Sequence, residues 1–156
     1  MRIVTATLRD VPALIALMTA SPLLRRYRVN RASARRSLLE ALRARDTILI
    51  ATEPGEVVGM AWVILTRALD RAAYLRLLLV AERRQSRGVG AALLERAERR
   101  AVAARCRHML LLVTTDNRRA RAFYSRRGYR HVADVPGFVR PRIRESIYLR
   151  SLAARR

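Results

Sequence analysis

The chain has 156 residues, 51% of them apolar, and 33 basic against 12 acidic side chains give it a net charge of +21. That length supports a single domain, residues 1–156, with its own core. One cysteine, Cys106, and two histidines, His108 and His131, exclude a disulfide framework and leave no metal-ligand set, and no apolar run approaches the roughly 18 residues that span a bilayer.

Residues Arg2 to Thr7 read as a short strand, and Asp10 is placed to cap a helix running to about Thr19, in which Pro12 falls in the tolerant first turn. This opening lacks the basic region, unbroken apolar stretch and cleavage site of a signal peptide, so a cytoplasmic location without a membrane partner is expected. An arginine-studded connection, SPLLRRYRVN, follows, and Asn30 caps a second helix with Leu38, Leu39 and Leu42 at helical spacing. TILIATE and VVGMAWVIL, joined through Pro54-Gly55, form a β-hairpin. After a loop, TRALDR, AAYLRLLLV reads as a central strand. A glycine-containing turn and a helix lead to the strand HMLLLVTT; the helix NRRARAFYSRR, ended by Gly128, precedes late strands near YRHVAD and ESIYLRSL. The expected order is β-α-α-β-β-β-α-β-α-β-β, an α+β fold with a mixed sheet, because the strand-helix-strand passage around Val89 favours a parallel pair.

Two blocks carry chemistry. The first, Gln85-x-x-Gly88-x-Gly90, follows a strand and opens a helix, whose first-turn N–H groups have no intrahelical partner and suit a phosphate. Gly88 and Gly90 permit close approach to the backbone, and Arg83, Arg84 and Arg87 add charge. The second block is Asn117, Ala120, Phe123-Tyr124 and Gly128-Tyr129. Together they resemble the GCN5-related N-acetyltransferase (GNAT) superfamily, and the element order agrees from Arg2 to about Leu152. Ser86 stands where many members have a further glycine.

The resemblance implies acetyl-CoA or coenzyme A as cosubstrate, with its pyrophosphate on Gln85, Ser86, Arg87, Gly88, Val89 and Gly90. It implies a pantetheine arm along Leu78, Leu79 and Val80, where a backbone N–H serves the oxyanion, with Asn117 touching the arm. Tyr124 takes the position of the proton donor to the departing thiolate. Asn117 is also a good helix cap on its own terms. Some members place a glutamate on the central strand, about where this chain has Arg76, and arginine is no base at neutral pH. Glu82, Asp70 and Glu145 do not occupy that position, so ordered water or a low-pKa amine is the expected route for the proton.

The acceptor wall implied by the resemblance includes Arg26 and Tyr27, and Arg76 is suited to pair with a carboxylate or phosphate on the acceptor. The shortage of acid disfavours a polycationic acceptor and points to a small amine bearing an anionic group, or to the N-terminus or lysine of an acidic protein. The resemblance also implies a homodimer through late strands, here Ile143 to Leu152. The competing reading is a non-catalytic module that senses acyl-CoA or binds nucleic acid through its arginines. Nucleic acid ranks behind, since no helix-turn-helix, zinc-finger or RNA-binding signature is present and only 5% of residues are aromatic.

Overall fold

The computed structural model describes residues 1–152; the last four residues of the expected domain lie outside the described part. Its elements are β1 (Arg2–Thr5), a 3-10 turn (Leu8–Asp10), α1 (Val11–Ala20), α2 (Pro22–Arg26), α3 (Arg31–Arg43), β2 (Thr47–Glu53), β3 (Glu56–Leu65), α4 (Ala68–Arg71), β4 (Ala72–Val80), a second 3-10 turn (Glu82–Arg84), α5 (Val89–Ala103), β5 (His108–Thr114), α6 (Arg118–Ser125), β6 (Arg130–Pro136) and β7 (Arg144–Ser151). The strands form one seven-stranded mixed sheet in the order β1-β2-β3-β4-β5-β7-β6, with β4 and β5 parallel.

The expected succession holds, with two short helices added. The arginine-studded connection contains α2, because Ser21 Oγ accepts from the N–H of Leu24 at 3.3 Å and Pro22 occupies the helix start. The loop TRALDR contains the single turn α4, in which Leu69, Asp70 and Arg71 all have positive φ. The cap at the first helix also differs. Asp10 does not bond forward into α1; its Oδ2 accepts from the N–H and Oγ1 of Thr7 at 2.7 and 2.9 Å, which inserts a 3-10 turn before the helix. Asn30 caps α3 as expected, its Oδ1 accepting from the N–H of Ser33 at 2.9 Å while Ser33 Oγ accepts from the N–H of Asn30 at 3.0 Å.

Contacts divide the chain into two compact units. The first comprises Met1–Ile64 and Leu77–Arg100. In its hairpin Ile48 lies opposite Trp62 and Ile50 opposite Met60, and these side chains, fully or nearly buried, join Leu14 of α1 and Leu38 of α3 in one core. Each such side chain contributes roughly 1.5–3 kcal/mol by leaving water. Trp62 also donates its Nε1–H to Asp46 Oδ2 at 2.8 Å, so the ring's polar edge is satisfied. On the other face of the hairpin, Gly59 makes room for α5. A Cβ there would lie 3.0 Å from the Leu79 carbonyl oxygen, 3.0 Å from Leu93 Cδ1 and 3.2 Å from Val89 Cγ1.

The second unit comprises Leu65–Arg76 and the chain from Ala101 onward. The first residues of β4, Ala72 to Leu75, pair with His108 to Leu111 of β5. β5 then pairs antiparallel with β7 along its whole length, from His108 opposite Ser151 to Thr114 opposite Glu145. Because β7 is paired with β5 on one side and β6 on the other, edge-to-edge pairing of two copies at this end would have to use β6. Among the described residues no helix is long and apolar enough to cross a membrane.

Candidate active site

In the first unit, β4 ends at Val80 and the chain turns through Glu82–Arg84 into the loop that opens α5. Gln85 fastens this loop to the strand: its Nε2 donates to the Val80 carbonyl at 3.1 Å. Ser86 and Gly88 have φ of 61° and 83°, and both are exposed together with Arg87. A Cβ on Gly88 would meet nothing within 4 Å. The protein's own packing therefore does not demand a glycine there; the left-handed backbone and an open approach do. Val89 is buried and begins α5, with the N–H of Ala92 already bonded to the Gly88 carbonyl at 3.0 Å, so the helix is formed from its first turn. Gly90 is its second residue.

The arginines of this loop are not equivalent. Arg83 is ion-paired with Glu56, and Arg84 with Glu53 at 2.9 Å, both partners lying on the β2–β3 hairpin. Sequence reading missed this, and the charge it assigned to three arginines rests chiefly on Arg87. Of the residues expected along the pantetheine arm, Leu79 is buried in the core with α1 and α3, while Leu78 and Val80 are half-buried. Tyr27 closes α2 as its half-buried C-cap and Arg26 is exposed beside it.

In the second unit, Asn117 Oδ1 accepts from the N–H of Ala120 at 3.0 Å and so caps α6. Its side-chain amide keeps donors for a further partner. The far end of α6 is a Schellman motif: the N–H of Tyr129 reaches the Tyr124 carbonyl at 3.2 Å and that of Gly128 the Ser125 carbonyl at 3.1 Å, with Gly128 at φ 81°. This reversal returns the Tyr129 ring to Tyr124, centroids 5.5 Å apart at 69°, while the Phe123 and Tyr124 rings pack edge-on at 5.1 Å and 84°. Tyr124 is thereby held in one orientation. Arg121 anchors the helix, donating to Tyr148 Oη at 3.1 Å and to the Thr115 carbonyl at 3.0 Å.

Burial raises the phenol of Tyr124 well above its ordinary value of 10.0, opposed in part by Arg127. It stays protonated throughout the physiological range. The folded chain holds this proton more tightly than the unfolded chain, so the associated stability is complete below about pH 10 and is lost as pH rises toward the folded value. Tyr74, raised by burial first, lowered by Arg76 and raised by Glu145, acts in the same direction. Thermal melts taken from about pH 8 to pH 11 should show a fall beginning near pH 10 that is smaller in Tyr124→Phe. An unchanged fall in that variant would assign it to other groups.

A family model described as "Acetyltransferase (GNAT) family" matches residues 15–129. The chain belongs to the GNAT family of acetyltransferases. An uncharacterized protein of Bacillus subtilis (strain 168), YdhI, is 32% identical over 94 residues, a match spanning 60% of this chain and 56% of that protein. Among solved structures, the ribosomal-protein-S18-alanine N-acetyltransferase from Escherichia coli is 18% identical with a TM-score of 0.82, covering 99% of this chain and 96% of that one. An aminoglycoside 6'-N-acetyltransferase complexed with coenzyme A is 14% identical with a TM-score of 0.84, covering 100% and 99%. An N-acetyltransferase from Staphylococcus aureus Mu50 is 16% identical with a TM-score of 0.80, covering 97% and 98%. At these identities the structures attest the shared fold.

Proposed function

We propose that this chain is an acetyl-CoA-dependent N-acetyltransferase whose acceptor is a primary amine bearing an anionic or zwitterionic character. The observation that carries the reading is the loop Gln85–Gly88, exposed at Ser86, Arg87 and Gly88, in which two left-handed residues, one of them an open glycine, precede a fully formed helix. This is the geometry of an anion seat, and the coenzyme A pyrophosphate is the anion the family supplies. Asn117 and the backbone of Leu78 to Val80 are assigned to the pantetheine arm.

The neutral amine attacks the thioester carbonyl; its nitrogen lone pair forms the new N–C bond, and the C–S electron pair leaves on sulfur. Tyr124 donates a proton to that thiolate, and the amine's surplus proton passes to solvent, from which Tyr124 is reprotonated, consistent with a strand that carries Arg76 instead of a carboxylate. Neither a polyamine nor an aminoglycoside suits a chain of net charge +21, which would repel a polycation.

The test is thermal stability with acetyl-CoA, free coenzyme A and a short single-stranded oligonucleotide at low and moderate salt. A ligand at about 100 times its Kd stabilises by roughly 2.7 kcal/mol. A shift with acetyl-CoA that survives salt and is absent with the oligonucleotide is the expected result. Equal shifts that vanish with salt would show general polyanion binding by the arginines and would overturn the donor assignment.

A further inference from the structure

The two faces of the sheet in the second unit are covered unequally. On one, Ala73, Leu75, Met109, Leu111, Val113, Ser146 and Tyr148 are all buried. The anchoring bonds from Arg121 to Tyr148 and to the Thr115 carbonyl place α6 over this face. Among the alternate residues on the other face, Tyr74, Leu110, Leu112, Ile147 and Leu149 are each only half-buried, while Ala72, Thr114 and Glu145 toward its ends are buried. They form a continuous strip, since Tyr74 is in register with Leu110, Leu110 with Leu149, and Leu112 with Ile147.

Charge is placed at both sides of one end of this strip. Arg76 is exposed on β4, two residues beyond Tyr74. Glu145 is 1% exposed on β7, opposite Thr114 of β5 and Val135 of β6. β4 pairs with β5 only as far as Leu75, opposite Leu111, so Arg76 lies just past the last paired residue of β4, and Glu145 lies on the far side of β5. Arg76 alternates with Tyr74 along β4, and Glu145 is in register with Thr114, which alternates with Leu110 and Leu112 along β5, so all three belong to this face. A guanidinium at one side, a buried carboxyl group at the other and leucine and isoleucine between them complement a small molecule that is itself a zwitterion with an apolar body.

Building on the N-acetyltransferase reading, we propose that the acceptor is a free α-amino acid with an aliphatic or aromatic side chain. Arg76 binds its carboxylate, Leu110, Leu112, Ile147 and Leu149 receive its side chain, and Glu145 orients its amino end as a positioning residue. Its ammonium group loses one proton to solvent before attack; the transfer then yields the N-acetyl amino acid and coenzyme A thiol, and the amine's second proton, relayed through solvent, restores Tyr124, so that one proton is released overall.

Acetylation of leucine, phenylalanine, leucinamide, glutamate and spermidine at saturating acetyl-CoA, read by thiol release, tests this. Leucine and phenylalanine should exceed leucinamide at least tenfold in kcat/KM and exceed glutamate and spermidine further. In Arg76→Gln the preference for leucine over leucinamide should collapse by tenfold or more, mainly through KM, and Arg76→Lys should restore part of it. Leucinamide or spermidine turning over as well as leucine, or a leucine preference indifferent to Arg76, would overturn the proposal. Leucine binding to the coenzyme A-loaded protein, measured by calorimetry, supplies a readout independent of turnover, and its absence together with absent turnover would also overturn it. Because acetyl-CoA stabilisation is scored separately, failure of the acceptor proposal is distinguishable from failure of the donor site.

Discussion

Tyr124→Phe should lower kcat by about 100-fold or more while leaving acetyl-CoA affinity nearly unchanged, a loss of roughly 2.7 kcal/mol in transition-state stabilisation. The substitution keeps the ring, and with it the packing against Phe123 and Tyr129, so the deficit reports the hydroxyl alone. Burial that raises this phenol weakens it as an acid but guarantees that the proton is present when the C–S bond opens. The rate should accordingly show no alkaline decline from this group below about pH 10. Steady-state kinetics beside direct acetyl-CoA titration separates the two effects. Equal activity in the variant would remove Tyr124 from the chemistry and leave it as a packing residue.

Gly59→Ala should be the most damaging small substitution in the first unit. Its Cβ would meet the Leu79 carbonyl oxygen at 3.0 Å, and backbone cannot swing aside as the tip of Leu93 can. Relieving the contact requires β3 and β4 to separate locally, at about 1–3 kcal/mol, or several degrees in Tm for a chain of this size. Val89, 3.2 Å from the same Cβ, begins the helix that the anion loop opens. Acetyl-CoA binding should therefore weaken severalfold beyond the loss of stability. Gly55→Ala is the matching control, because a Cβ there meets nothing within 4 Å and only the positive φ of 75° resists it. A Gly59→Ala protein with unaltered Tm and binding would show that α5 accommodates the methyl freely.

The contrast between those glycines shows what the chain discloses without its structure. Gly55 and Gly128 are legible because each follows a local rule: a hairpin turn after proline, and a helix stop followed by an aromatic that folds back. Asn30 and Asn117 are legible as caps for the same reason. The α2 helix had a local signal too, a serine followed by proline at the first helical position, overshadowed by the arginines that follow. Gly59 carries no such signal. Its necessity arises from β4 and α5, which arrive 20 to 34 residues later in the chain, at Leu79, Val89 and Leu93. The pairing of Arg83 and Arg84 with Glu56 and Glu53 is hidden in the same way, since the partners meet only when the hairpin lies beside the strand end. Glu145 reads as one more charged residue near a strand terminus until the pairing of β7 on both sides encloses it.

The two ion pairs from the hairpin to Arg83 and Arg84, with the tie from Gln85 to Val80, also bear on the entropy of the proposed binding. A slack loop that closed on a pyrophosphate would surrender rotational freedom in that step, and the association would carry an unfavourable entropy. Here the arms are fastened when the chain folds. The ordering of that end of the loop is charged to folding, so on the proposed reading less configurational freedom is left for the ligand to quench.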